Sequence, residues 1–364
     1  MIQTFSSTIR RKEMDAVLTC MVDEKLGPGE LNAKLIQTVK EVTGCDGAVA
    51  FRSPAIAFSY VAKALDLEAG TKIMISALAP SWQYTAIKNL GYTPLVLDVR
   101  EEDGLLTAET VQEGLKDGGK LLLLHETMGI LPNLDEILAL GLPVIEDISQ
   151  SFGATFGNAG ESEESEGQTQ AQERGQKAPL PIKAGMLGLY SILGLEANDT
   201  VTAGGGAVLI SPKRREWIVL KKHTDAAPVT DILSDMNSAL GFIQMKEFSR
   251  NEEIRKSLFA IFQKALASGK NRTFVRSEGE NSTVWSFPVV LNGSFKDVKQ
   301  YASRKEIEIK LAYENSVILL LSEEEQSKLL HAKGLYLRTV LFPLYPRLGS
   351  ESATKIAKVL GTLP

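Results

Sequence analysis

The chain of 364 residues has a formal charge of −5 and is 44% hydrophobic, enough for one large domain with a smaller companion. Its charges are interspersed and form no basic stripe, which argues against a nucleic-acid partner. No apolar run is long enough to cross a bilayer and none follows the arginines of "MIQTFSSTIRRKEMDAVLTC", so a cytoplasmic location is expected. Cys20 and Cys45 fit no metal or redox spacing and are read as packing residues.

In chain order, Ser53 followed by Pro54 is a good helix start, a capping side chain before a residue preset for the first turn. Short β-branched runs then alternate with helical patterns. The strands are "TKIMIS", "TPLVLDV", "KLLLLHE" and "LPVIED", and the helices between them are "PSWQYTAIKNLG", "TAETVQEGLKDGG" and "NLDEILALG", each closed by glycine. This alternation predicts crossover units and a mostly parallel sheet. Residues 157–181 are nearly free of apolar side chains and rich in Glu, Gln, Ser and Gly, so they are expected to form a solvated, disordered insertion. "MLGLYSIL" and "GGAVLIS" complete the strands of the large domain. Helical spacing runs from Asp231 to Leu266, too long for one globular layer, and is expected to connect two domains. The strand "STVWSFPVVL", a helix through "FKDVKQYASRK", the strand "YLRTVLFPL" and the helix "SESATKIAKVLG" then predict a smaller α+β domain. The division expected is 1–250 and 251–364.

Several chemistries are excluded by motif. There is no P-loop, no zinc-spaced Cys or His cluster, no HExxH and no nucleophile elbow. The run Gly204 to Gly206 precedes a strand and so fits no dinucleotide fingerprint. Of the scattered histidines His125, His223 and His331, only His125 ends a strand at the edge where α/β sheets bind ligands; it is a site candidate, with a structural role as the alternative. Asp147 closes a buried strand, which suits either a site residue or a helix-capping carboxylate.

From "NLGYTPLVLDV" and "LPVIEDISQSFGATFG" to "AGGGAVLIS" and "LFPLYPRLG", the order and spacing of motifs resemble the DegT/StrS sugar aminotransferases, a family of fold-type I pyridoxal-phosphate enzymes. The resemblance implies an α/β, fold-type I aminotransferase-like architecture with a large mostly parallel sheet domain and a smaller C-terminal α+β domain. It also implies a site between two subunits and therefore a homodimer. Asp147 falls where the family places the carboxylate for the cofactor's pyridine nitrogen, Gln150 beside the ring, and Ser191 on the strand before the Schiff-base lysine. A carboxylate there keeps the ring protonated as an electron sink.

The remaining contacts depart from the family. The lysine column falls on Glu196 counted forward or Asn198 counted back, and no lysine occurs between Lys183 and Lys213. Neither residue can form an imine. The phosphate turn falls on Ser53 and Pro54, and proline has no N–H to offer an anion. The ring-stacking aromatic falls near Pro80, with Trp82 two places on. Thr230 and Ile232 stand where the family presents phosphate ligands to the neighbouring subunit. Weak or absent pyridoxal-phosphate binding is therefore expected, with no catalytic residue assigned and Ser53 a vestigial contact. The leading reading is a non-catalytic binding or scaffold homologue in a sugar or cell-envelope pathway, with a sugar nucleotide or other small molecule as ligand. A family enzyme binding its cofactor non-covalently, and a structural subunit in a mixed dimer with an active paralogue, are the alternatives.

Overall fold

The computed structural model describes residues 1–157, 181–276 and 281–364. The polar insertion read at 157–181 lies, apart from its two end residues, outside the described residues.

Seven strands form the main sheet: β1 (Gly47–Phe51), β2 (Lys72–Ser76), β3 (Thr93–Leu97), β4 (Leu121–His125), β5 (Val144–Asp147), β8 (Tyr190–Gly194) and β9 (Ala207–Ser211). Two short strands, β6 (Thr155–Phe156) and β7 (Ile182–Lys183), pair with each other at the foot of the insertion. The spatial order of the sheet is β1-β9-β8-β5-β4-β2-β3. Pairings from β3 to β8 are parallel, and β9 runs antiparallel to both β8 and β1.

Every residue of β4, β5, β8 and β9 is buried, as strands covered on both faces must be. The two-residue period sorts their side chains. Ile73, Ile75, Leu121, Leu123, Ile145 and Ile192 pack with Phe58 and Val61 of helix Pro54–Ala64. On the other face Ala48, Ala50, Leu193, Val208 and Ile210 meet Leu35 and Val39 of helix Glu30–Thr43. Each such aliphatic side chain contributes about 1.5–3 kcal/mol when withdrawn from water. Helix Glu30–Thr43 has Gly29 at its N-cap and no side-chain cap of its own. Asp235 caps it from a distance, its carboxylate accepting from the N–H groups of Gly29 at 2.8 Å, Leu31 at 3.2 Å and Asn32 at 2.9 Å.

A second, antiparallel sheet orders β10 (Phe287–Val290), β12 (Thr339–Phe342) and β11 (Lys310–Leu311). Helices Phe248–Leu266 and Ser350–Leu360 cover it, with Phe262, Phe287, Phe342 and Ile356 fully buried between them. Two local expectations change. The helical stretch from Asp231 to Leu266 is two helices, Asp235–Lys246 and Phe248–Leu266, meeting at Glu247, whose side chain is held by Lys12 and Arg250. Residues 336–338 of "YLRTVLFPL" end a helix, Leu330–Arg338, because Ala332 and Leu335, three apart, are both buried; the strand begins at Thr339.

Candidate functional site

The parallel register of β4 and β5 sets His125 beside Asp147 at the carboxyl end of the sheet. Asp147 is completely buried and accepts four hydrogen bonds. One oxygen takes the Gln83 amide at 2.8 Å and His125 Nδ1 at 3.1 Å; the other takes the Ser149 backbone N–H at 3.2 Å and its hydroxyl at 2.5 Å. Burial pushes the carboxyl pKa up, but His125 and the Ser149 donors reverse this and hold it below the ordinary value. With Nδ1 committed to Asp147, Nε2 is the ring atom left for a ligand.

After β8 the chain makes a tight turn that Ser149 pins in place. Thr200 donates its N–H at 3.3 Å and its hydroxyl at 2.8 Å to the Ser149 carbonyl, and Gly194 donates its N–H to the Ser149 hydroxyl at 2.9 Å. Asp199 closes the turn by accepting the Glu196 N–H at 2.8 Å. A Cβ at position 194 would lie 2.6 Å from both the Asp199 carboxylate and the Ser149 hydroxyl, so glycine is what lets Asp199 fold inward. Burial, with Asp147 and Glu196 nearby, raises the Asp199 carboxyl to about 7.

These elements frame a cleft of about 250 Å³ between the two sheets. His125, Thr127 and Met128 come from the end of β4, Ser149 and Gln150 from the end of β5, and Glu196, Asn198 and Asp199 from the turn after β8. Residues 311–316, following β11, close the opposite side with Tyr313 and Glu314. Aromatic walls are supplied by Phe5, Trp82 and Trp285; Phe5 and Trp285 form a tilted pair with centroids 5.7 Å apart, and the Trp285 indole donates to the Asn198 carbonyl at 2.7 Å. Among the described lining residues none is lysine or arginine, while Glu196, Asp199 and Glu314 carry carboxylates.

The floor is strained. Met128 adopts φ +58, rare for a side-chain-bearing residue, and its N–H donates to Gln150 Oε1 at 2.6 Å. Gly129 follows at φ +75, where a Cβ would sit 2.2 Å from the Thr283 carbonyl. Behind the floor, Glu126 and Glu146 are buried against each other. Glu146 accepts from the N–H groups of Gly185 at 2.9 Å, Leu187 at 3.0 Å and Gly188 at 2.6 Å, so it carries the charge. Burial and the Glu146 charge lift the Glu126 carboxyl well above its usual range, leaving it the protonated partner.

The residues singled out from sequence divide into those at the cleft and those away from it. Gln150, Glu196, Asn198, His125, Pro54, Pro80 and Trp82 line the cleft. Asp147 lies behind His125 and is not part of the wall. Ser191 is buried with its hydroxyl donating to the Gly185 carbonyl at 2.9 Å, and Ser53 caps helix Pro54–Ala64 by accepting the Ile56 N–H at 3.2 Å. Thr230 is exposed, and Ile232 forms a bridge with Phe51. Asp199, Glu314, Trp285 and Phe5 were not singled out. The Asp-Thr pair after the lysine column was the available signal for Asp199; the others come from distant segments with no local motif.

Three features of the site bear on the pyridoxal phosphate that the resemblance implies. A ring nitrogen would have to displace Gln83 or His125 from Asp147, whose four acceptor positions are used. Glu196 and Asn198, the two positions on which the lysine column falls by the resemblance, carry no amine, Pro54 offers no N–H at its helix start, and the described lining carries the carboxylates Glu196, Asp199 and Glu314.

The fold matches solved structures along almost the whole chain. An aminotransferase TlmJ from Streptoalloteichus hindustanus is 16% identical, with a TM-score of 0.82 over 99% of this chain and 97% of that one. An aminotransferase from Psychrobacter cryohalolentis is 19% identical, with a TM-score of 0.81 over 97% and 96%. An E. coli GDP-4-keto-6-deoxy-D-mannose-3-dehydratase with bound hydrated pyridoxal phosphate is 17% identical, with a TM-score of 0.78 over 99% of each chain. The profile of the DegT/DnrJ/EryC1/StrS aminotransferase family matches residues 7–361, and the chain belongs to that family.

Proposed function

We propose that this chain is a non-transaminating member of its family, a binding protein that has kept the framework and replaced the cofactor chemistry, acting in a sugar or cell-envelope pathway. The observation that carries the reading is a cleft lined by Glu196 and Asn198, the two positions on which the lysine column falls by the resemblance, in a wall whose described residues include no lysine or arginine. Without a lysine there is no imine to form, and with no lysine or arginine in the described wall and no N–H on Pro54 there is little to hold a phosphate. The position of His125 supports small-molecule binding: Asp147 fixes its ring, so one nitrogen is oriented at the cleft.

Incubation with pyridoxal phosphate is expected to give no internal-aldimine absorbance and, after borohydride, no adduct on the peptide covering 184–212. A fixed adduct there would reverse the reading. The same titration followed by equilibrium dialysis tests the non-covalent alternative, since tight retention without an adduct would favour it.

The family also leads us to infer a homodimer. Of Ser238, Ala239, Leu240 and Gly241, which the resemblance places at a subunit contact, Leu240 is half-buried and the other three are buried within the single chain, with Gly241 against Leu35 and Ala203. Support comes instead from helix Arg11–Val22, which leaves Met14, Leu18, Met21 and Val22 more than half exposed along one face. Light scattering tests this; a monomer at micromolar concentration would overturn it.

A further inference from the structure

We propose that the cleft selects a protonated amine carried on a single sugar-sized ring, and discriminates against phosphorylated ligands. The inference rests on the non-transaminating reading of the same site and names the ligand class that reading leaves open.

Three independent features converge. The first is charge: exposed Glu196 and Glu314 and half-buried Asp199 line the cleft, with no lysine or arginine among the described lining residues. Carboxylates brought together in a cleft attract a cation and repel a phosphate, and burial strengthens both effects. The second is the wall, which includes Trp82 and Trp285; indole faces carry negative quadrupoles that attract ammonium groups and flat surfaces that receive the C–H face of a sugar ring. The third is an orphaned donor: Thr127 lines the cleft, is 1% exposed, and its hydroxyl has no partner among the described residues. A buried hydroxyl without a partner is costly, and a ligand hydroxyl would satisfy it.

Size narrows the class. A cleft of about 250 Å³ falls below the roughly 300–1,000 Å³ that encloses a drug-sized molecule, so the part of a ligand it encloses is about the size of one ring.

Burial first, then Asp147 and Glu196, sets the charge of Asp199. His125 and Glu314 line the same cleft and Arg255 lines the adjoining pocket, where it is engaged with Glu252 at 3.0 Å. The cleft side of Asp199 is therefore dominated by acids.

The test is calorimetric titration of the full chain at pH 7 with glucosamine, glucose, N-acetylglucosamine and glucose 1-phosphate. Glucosamine is expected to bind roughly tenfold more tightly than glucose or the acetylated sugar, and the phosphate least of all. Glu196→Gln, at an exposed position, and Asp199→Asn are each expected to shrink the ratio of glucosamine to glucose affinity to about twofold or less. Equal binding of glucosamine and glucose, tightest binding of the phosphate, absence of binding by all four sugars, or an undiminished preference in both variants would each overturn the proposal. None of these outcomes bears on the borohydride experiment, and a cofactor adduct on 184–212 would sink the non-transaminating reading whichever sugar binds.

Discussion

Replacing Asp199 by asparagine isolates the cost of holding an ionised carboxylate between Asp147 and Glu196. The side chain keeps an oxygen to accept the Glu196 N–H, so the turn retains its closing bond. Its carboxyl moves from 3.8 to about 7 in the folded chain, chiefly through burial. A shift of roughly 3 units at about 1.4 kcal/mol per unit sets a ceiling near 4 kcal/mol, and water reaching the half-buried group lowers the expected value to about 1–2 kcal/mol. The folded state holds this proton more tightly than the unfolded state does. The stability the group contributes is therefore complete below about pH 4, declines as pH rises, and is fully lost above about pH 7. Asparagine does not titrate, so the advantage of Asp199→Asn should grow from near zero at pH 4 to its full size at pH 8. Urea unfolding followed through Trp285, whose indole is bonded to the same turn at Asn198, reads this directly. A difference that stays flat with pH, or a variant less stable than the parent at pH 8, would refute the electrostatic account.

Other substitutions probe separate supports. Gly129→Ala combines a positive φ with a Cβ 2.2 Å from the Thr283 carbonyl, so a loss of about 3 kcal/mol is expected in the urea midpoint. The buried acids should respond unequally: Glu126→Gln replaces a protonated carboxyl and is expected to cost less than about 1 kcal/mol at pH 7, whereas Glu146→Gln removes the charge that three backbone N–H groups share and should cost about 2–3 kcal/mol. A larger loss for Glu126→Gln would show the proton placed on the wrong partner. Asp235→Ala strips the distant cap from helix Glu30–Thr43 and should cost about 2 kcal/mol, with faster amide exchange at Gly29, Leu31 and Asn32; unchanged exchange there would contradict the capping role.

The large sheet was legible because its information is local. "KLLLLHE" and "LPVIED" are apolar runs bounded by turns, and such runs become strands wherever both faces are covered. The family came from the resemblance of longer motifs such as "LPVIEDISQSFGATFG" and "AGGGAVLIS". The end of helix Leu330–Arg338 was not legible, since "YLRTVLFPL" reads as one β-branched run until the burial of Ala332 and Leu335 decides its first residues. The cleft divides in the same way. His125, Asp147 and Gln150 sit on strand ends that sequence places, whereas Phe5, Trp285 and Glu314 reach it from three remote segments. Asp199 was hidden for a different reason. Its role depends on the absent Cβ of Gly194 and on Thr200 docking to Ser149, both invisible without coordinates.

The antiparallel edge of the main sheet has a consequence for the order in which the chain can assemble. Among the described residues β9 is the strand that pairs with β1, register running from Gly47 opposite Ser211 to Phe51 opposite Ala207, and the later residue Ile232 adds an isolated bridge to Phe51. About 160 residues of synthesis lie between them, on the order of 8–30 seconds at roughly 5–20 residues per second. Throughout that interval the first strand has no neighbour, and Phe58 and Val61 of the helix that follows lack the β9 residues Ala207 and Leu209 from their shared core. A nascent chain stopped before position 207 therefore presents "GAVAF" with both backbone edges open, which makes the amino-terminal fifth of the molecule the part most dependent on chaperones until its last strand arrives.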